Sequence, residues 1–548
     1  MIINKSISAG FIFIIFALAI VLRIQGINKY DLWFDEIASD GYSSQLFPKL
    51  LDLDGKEYML ERMGKDGHSP FYYALVYAYS ILFGNGKSLR IISLLFSLCS
   101  LAMFYKLARL FLGRQASIFA FLIAALSPFQ IWYAQEARGY AMAFFLATVL
   151  LYFYAKSIRT NYPSYWLGFS AAGVLGIYSN YYFVIFILFS GVIFLFKKYR
   201  RTVLRNWAIA VTGIFILFLP FLFIFCRQLN FVKNFFWLLK PVLSSLPLTV
   251  GVFVLGYSAS QAQLILGSAL FILIFIYGAY RYYRSRDKED GIILFSFAVI
   301  PIILIYIFSL WIMPLYLYRQ LIIFSPFYYL FIGYGIAECR NKALRIFLAV
   351  LTALFLCLAL VNYYRGFMIE PSGNGKEFYP GIHLKKNYAS QLAYIYKKYS
   401  EGYAVVATDI YSALICKTYS IVKNGVARQG FMFYPAALSP HVKAYLLIET
   451  PLFKNSIFNH YRPYILCYRD DAAKVGRYKH VIEPLSMRNN KNPYERVILF
   501  SATFNNKRSG LDENSIKCRE LMNRNFIKEE GVAMDGLYIE SYIRKHLP

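Results

Sequence analysis

The sequence predicts an α-helical polytopic membrane protein of about 11 transmembrane helices with a C-terminal extracytoplasmic α/β domain. Three observations predict it. The 548 residues are 58% hydrophobic and 19% aromatic but only 16% charged, too few charges to cover a soluble protein of this size. Apolar runs of about 20 residues recur from position 7 to position 362, each sufficient to cross a hydrocarbon core of about 30 Å. After Tyr364 the texture changes to mixed polar and apolar sequence. The expected domains are therefore a membrane domain over 1–364 and one extramembranous domain over 365–548.

The first apolar run, about Ile7 to Ile27, lacks a small-residue cleavage site and exceeds a signal-peptide core, so it reads as a retained helix. A first outer loop over 28–87 follows. Within it, Phe71 to Phe83 is apolar but too short to span, and is closed by Pro70 and Gly84. That suits a short helix lying on the outer surface. Further spans are expected near 88–108, 116–133, 140–156, 164–179, 181–196, 207–225, 263–280, 291–311, 319–338 and 345–362.

Every second connection is densely basic: Lys106 to Arg114, Lys156 to Arg159, Lys197 to Arg205, Arg281 to Lys288 and Arg340 to Arg345. The positive-inside rule places these in the cytoplasm, with the N-terminus cytoplasmic and the C-terminal domain outside. A bacterial inner membrane is the expected location. The net charge of +28 does not indicate nucleic acid, because much of it lies in short loops that set topology and meet anionic membrane lipids. The seven cysteines are scattered, with no CxxC pair.

This topology gathers the unusual residues on the outer face: Asp35 and Glu36 after Trp33, His68 before Ser69–Pro70, Glu136 and Arg138 between two apolar helices, and Arg319. Charge at a membrane boundary is costly unless it is paired, solvated or used. A carboxylate among aromatic rings has its pKa raised, which suits Asp35 or Glu36 to general-base work; the alternative is that Asp35 merely caps a helix starting near Glu36. Arg138, Arg319 and His68 could hold a phosphate. Equally, Arg138 could pair with Glu136, and Arg319 could extend to headgroups. Of the rim tyrosines, Tyr133 and Tyr140 flank the Glu136–Arg138 turn as candidate substrate contacts beside Glu136, although interfacial belts account for most such rings. No cofactor is required by the pattern; a divalent metal ion is possible, with Asp35, Glu36, Glu136 and His68 as donors, but the signal is weak.

In order, WFDE, HSPFYYALVYAYSILFG, SLRIISLLFSLCSLAMFYKLARLFLGRQAS, YAQEARGYA and YRQLIIFSPFYYL resemble family 39 glycosyltransferases of the GT-C class. That group includes protein O-mannosyltransferases and lipid A aminoarabinose transferases. The resemblance is clearest over about 1–200 and extends to about 340. It implies a polyprenyl-phosphate sugar donor, an inverting transfer to a lipid, glycan or protein acceptor, and an active site beneath the first outer loop. Asp35 then resembles the family's catalytic acid residue, with Glu36 beside it, and Arg138 resembles the arginine that engages phosphate. Gly139–Tyr140–Ala141 stands where protein O-mannosyltransferases usually carry a leucine-aspartate step, which argues against that acceptor class.

The C-terminal region reads as α/β, with a helix near Tyr388 to Tyr399 and strand-like runs YAVVATDI, AYLLIE, PYILCY, RVILFSATF and GLYIESYI. Competing readings are a polysaccharide polymerase or ligase, and a non-enzymatic transporter or flippase of lipid-linked sugars. The soluble domain is terminal rather than between late helices, and the sequence contains no convincing internal repeat.

Overall fold

The computed structural model describes residues 5–33, 35–37, 39, 63, 68–84, 86–196, 199–235, 240–285 and 288–367, and then 403–407, 444–448, 465–467, 496–502, 523, 526–534 and 537–544. The chain forms two units. One comprises Met1–Ile27, Asp66–Ile369 and Tyr379–Ile382; the other comprises Asn28–Lys65, Glu370–Phe378 and His383–Pro548.

The first unit is helical: α1 (Lys5–Ile24), α2 (Phe71–Phe83), α3 (Arg90–Phe111), α4 (Arg114–Leu126), α5 (Pro128–Ala134), α6 (Tyr140–Thr160), α7 (Pro163–Ile177), α8 (Phe183–Phe189), α9 (Arg201–Phe235), α10 (Ser245–Leu255), α11 (Gln261–Ser285), α12 (Lys288–Trp311), α13 (Ser325–Ala337) and α14 (Lys342–Arg365). Each expected span coincides with a helix or a helix pair, but fewer than the expected 11 or so are long and apolar enough to cross a membrane among the described residues. Among the described residues, seven helical segments are long and apolar enough to cross a membrane, or eight if the bent pair α4–α5 is one span. Helix α7 has 15 residues, about 22 Å at 1.5 Å per residue, short of the hydrocarbon core. Helix α8 and its 3-10 continuation cover only Phe183–Leu195, and α1 is apolar over Ala9–Ile24. The chain is a multi-pass membrane protein that contains both full-length spans and shorter apolar helices.

Helix α2 is where the sequence puts it. Pro70 precedes it and Gly84 ends it at φ 83°, a left-handed conformation that glycine adopts without penalty. It buries Tyr72, Tyr73 and Val76 and exposes Ile81, Leu82 and Phe83 at its far end. Helix α10 has no counterpart in the sequence reading, because SLPLTVGVFVL is too short for a span and carries a proline. It is buried from Leu248 to Leu255, so it belongs to the core.

Small residues let the helices approach closely, as packing inside a membrane requires. A Cβ on Gly333 of α13 would lie 2.4 Å from the Ala120 nitrogen of α4, and one on Gly278 of α11 would lie 2.0 Å from the Phe331 carbonyl oxygen. The α4–α5 break is also built locally. Ser127 caps α5 through a bond from the Gln130 amide (3.4 Å), Pro128 follows at the first helical position, and the helices bend by 53°. The Ser127 hydroxyl donates to the Phe253 carbonyl of α10 (2.7 Å), as does the Tyr329 hydroxyl (2.7 Å). Gly256, at φ 68°, ends α10 so close to this break that a Cβ there would lie 2.9 Å from the Phe129 nitrogen.

Contacts at one end of the helices join the basic segments. Arg159 pairs with Asp290 (2.5 Å) and donates to the Leu110 carbonyl (3.0 Å). Tyr282 donates to the Phe111 carbonyl (3.3 Å), Asn206 to the Asn161 side chain (3.1 Å), and Tyr277 to the Glu338 carbonyl (3.5 Å). Alternating helix direction then puts the connections at 135–139, 178–182 and 312–319 at the other end, where the 256–260 turn brings Tyr257 to Tyr133.

The second unit contains a six-stranded sheet, β1 (Tyr403–Ala407), β2 (Ala444–Ile448), β3 (Ile465–Cys467), β4 (Arg496–Ala502), β5 (Phe526–Met534) and β6 (Leu537–Arg544), in the order β3-β2-β1-β4-β6-β5. The first four strands are parallel, and β6 runs antiparallel to β4 and β5. Five strands match the expected runs. The fifth in sequence, FIKEEGVAM, sits at the sheet edge with a bulge between Lys528 and Glu530, and its charges mask any strand pattern. The helix expected near Tyr388 to Tyr399 lies outside the described residues.

Candidate functional site at the sparsely charged helix ends

After α5 the chain turns through Gln135–Gly139 into α6. The Arg138 amide donates to the Glu136 carbonyl (2.7 Å), and the Arg138 carbonyl accepts from Ser93 (3.0 Å), which also bonds the Tyr72 hydroxyl (3.0 Å). A Cβ on Gly139 would lie 3.2 Å from the Tyr72 Cβ, so α2 rests directly on this turn.

The Arg138 side chain is 4% exposed. Its Nη1 donates to the Tyr73 hydroxyl (3.3 Å) and its Nη2 meets His68 Nε2 (2.5 Å). A guanidinium can only donate, so His68 Nε2 accepts, and the proton of the neutral ring is on Nδ1. His68 packs edge-on against Tyr73 at 6.3 Å, and its carbonyl accepts from Gln228 of α9 (3.2 Å), itself bonded by Tyr181. The structure thus brings together two predicted phosphate ligands that lie far apart in sequence.

The remaining predicted residues of this unit lie on the same turn or against it. Glu136, 1% exposed, accepts from the Trp132 indole (2.8 Å). The Tyr133 hydroxyl bonds that of Tyr257 (2.7 Å), and the Tyr133 and Tyr140 rings meet at 4.8 Å. The Arg319 guanidinium lies 5.7 Å from the Tyr140 ring centre, in cation–π range, so the idea that Arg319 merely reaches for headgroups is replaced by a buried contact at 6% exposure. Nearby, Asn180 donates to Gln320 (2.9 Å) and Tyr182 to the Leu315 carbonyl. Burial pushes the Tyr257 hydroxyl well above the usual phenol range, a shift the nearby Tyr133 hydroxyl and Arg319 reduce; burial does the same to Tyr318.

Asp35 and Glu36 fall in the other unit. The amides of Glu36 and Ile37 both donate to the Trp33 carbonyl (3.0 Å each), and Glu36 Oε2 accepts from the Trp33 amide (3.3 Å). The last contact is the glutamate half of a capping box, in which the third residue of a helix reaches back to the amide of its cap. Glu36, fully buried, therefore does the capping considered above for Asp35. Asp35 is half-buried, and its carbonyl accepts from Ser39 (3.0 Å). Half of the 28–87 segment lies outside the described residues. Among the described residues, no three His, Cys, Asp or Glu side chains converge as a metal site would need.

Several residues here carry no mark in the sequence reading. Tyr257 comes from the turn after the unpredicted α10, and Gln228 lies late in α9; Gln135 sits within YAQEARGYA itself and Trp132 immediately before it.

Residues 67–224 match the family model described as dolichyl-phosphate-mannose-protein mannosyltransferase. That segment runs from just before His68 through α2, the Glu136–Arg138 turn and most of α9. Among solved structures, the fold is similar to that of ArnT from Cupriavidus metallidurans in the apo state, at 12% identity and a TM-score of 0.53, covering 97% of this chain and 98% of that one. ArnT from the same organism bound to undecaprenyl phosphate matches with the same identity, coverage and TM-score. The archaeal oligosaccharyltransferase AglB from Archaeoglobus fulgidus matches at 11% identity and a TM-score of 0.47, over 99% of this chain and 75% of that one. No curated protein matches in sequence. Residues 67–224 are thus similar to that family, and the fold is similar to that of ArnT.

Proposed function

We propose that the protein is a glycosyltransferase that takes a sugar from a polyprenyl-phosphate carrier and attaches it to a lipid, glycan or protein acceptor on the outer face of a bacterial inner membrane. The observation that carries this reading is the buried Arg138, held by His68 and Tyr73 on a turn inside the matched segment, with Arg319 against the adjoining Tyr140. A rigid, permanently charged fork suits a lipid phosphate, and it stabilises the charge that grows on that phosphate as the glycosidic bond breaks. The fold shared with ArnT, which has been seen with undecaprenyl phosphate, supports a lipid-phosphate donor.

In this mechanism Asp35 is the base. It takes the acceptor's proton as the acceptor oxygen attacks the anomeric carbon, the bond to the phosphate oxygen breaks, and the configuration inverts. Glu36 fixes the turn that presents Asp35, while Arg138, His68 and Arg319 receive the polyprenyl phosphate. Tyr133, Tyr140 and Glu136 line the sugar's approach. The N-terminus is cytoplasmic, the basic connections face the cytoplasm and the C-terminal domain lies outside, where it shapes access of the acceptor.

The test is transfer in proteoliposomes. Purified protein is given radiolabelled polyprenyl-phosphate sugars and membrane acceptors, and the product anomer is determined. Label passing to acceptor with inverted configuration is expected. Movement of intact labelled lipid between leaflets without transfer would instead identify a flippase.

A further inference from the structure

The end of α1 is tied to the chain on both sides of the short helix α5. Arg23, fully buried, reaches from α1 to the last turn of α4, where its Nη1 donates to the Ala125 carbonyl (2.8 Å) and its Nη2 to the Ala124 carbonyl (3.5 Å). Its Nε donates to Ser97 of α3 (2.8 Å), which fixes the plane of the fork. These carbonyls are the ones a helix leaves open at its C-terminal end, here immediately before the Ser127–Pro128 break. Gln135 returns the contact from the other end of α5. Its Nε2 faces the carbonyls of Leu22 (3.2 Å), Arg23 (2.9 Å) and Gln25 (2.8 Å), so two N–H groups serve three acceptors. Its Oε1 accepts from Tyr363 of α14 (2.7 Å), and Tyr364 donates to the Leu22 carbonyl.

Helix α5 is therefore bracketed: Arg23 holds the α4 carbonyls just before it, and Gln135, at its end, holds the α1-end carbonyls. The chain runs on from Gln25 to Asp35 on one side of this clamp, and from Gln135 to Arg138 on the other. We infer that Arg23 and Gln135 are positioning residues for the transfer reaction, fixing the root of the loop that carries Asp35 to the turn that carries Arg138. The inference rests on the proposed function, in which those two residues act on the same substrate. Neither clamp residue touches substrate. Displacing the loop root by an ångström would slow the chemical step while leaving the donor phosphate's ligands in place.

Gln135→Met keeps the side chain's length and removes its donors; Gln135→Glu keeps an acceptor for Tyr363 but turns an oxygen toward the three carbonyls. Both variants are compared with wild type and Asp35→Asn in proteoliposomes, by amide hydrogen exchange over residues 22–36 and by steady-state transfer kinetics. Exchange over 22–36 is expected to quicken at least tenfold in both variants with α6 still protected. In the same variants kcat should fall at least tenfold while KM for the polyprenyl-phosphate sugar stays within about twofold. Unchanged exchange would overturn the clamp. Faster exchange with unchanged kcat, in a preparation where Asp35→Asn abolishes transfer, would overturn the positioning role and leave the proposed function standing. Equal transfer by wild type and Asp35→Asn would remove the proposed base and, with it, the positioning role.

Discussion

The two ends of the helical unit each hold arginines, exposed at the basic end and buried at the other, and they hold them differently. At the basic end, Arg159 lies against the Asp290 carboxylate at 2.5 Å and stacks over Phe111 at 4.8 Å, so its charge is met within the protein. At the other end, Arg138 is oriented by an imidazole and a phenol, and Arg319 by the face of a tyrosine. The first arrangement ties helix ends together. The second fixes the position of each guanidinium through an imidazole, a phenol and a ring face.

The sharpest way to break this comparison is to remove each arginine in turn. Arg138→Ala should lower transfer by about 100-fold or more, the range for losing one preorganised charge-stabilising donor, whereas Arg159→Ala should leave the specific rate within about twofold. A fall of similar size in both would abolish the distinction. Next in size, Arg23→Met should cost about 2–3 kcal/mol of stability, read as a lowered unfolding temperature in detergent, because hydrogen bonds from a charged group to buried carbonyls are lost. Gly256→Ala follows: a left-handed φ and a Cβ at 2.9 Å from the Phe129 nitrogen should together cost about 1–3 kcal/mol. Asp290→Asn should cost no more than about 1 kcal/mol, since Arg159 is partly exposed and solvent screens the pair, and the loss should shrink further in high salt.

Tyr257 sharpens the comparison through pH. Its folded pKa is raised above the unfolded value of about 10, so the folded state keeps a proton that the unfolded chain gives up. The stability it contributes is complete below about pH 10 and is lost as pH rises beyond that. Tyr257→Phe should flatten this alkaline loss in thermal unfolding measured from pH 8 to pH 11.

The fold was largely legible because apolar runs and basic connections are one-dimensional signals. The places of α3, α6, α9, α11, α12 and α14 are all visible as hydrophobic runs of spanning length, and α2 is visible from Pro70 and Gly84. Helix α10 is too short to register, while α7 and α8 register as spans because composition reveals apolarity better than where a helix starts and stops. Strand β5 hides behind Lys528, Glu529 and Glu530. The individual site residues stood out as charges beside apolar helices, but their pairing did not. Nothing local in HSPFYY announces that His68 meets Arg138, because that contact is made by folding α2 back onto the α5–α6 turn. Tyr257 was invisible for the same reason at one remove, since it is delivered by a helix the pattern does not reveal. Glu36 shows the reverse case: WFDE reads as a pair of equivalent carboxylates, and only the backbone geometry separates the one that caps its turn from the one beside it.

The central claim is that Asp35 is the base in transfer of a sugar from a polyprenyl phosphate. Its most direct test is the transfer rate of Asp35→Asn in proteoliposomes, with binding of the polyprenyl-phosphate sugar measured on the same preparation. The account predicts a fall of about 100- to 10,000-fold in rate with donor binding preserved, the range for loss of a general base. Transfer at the wild-type rate by Asp35→Asn would contradict it.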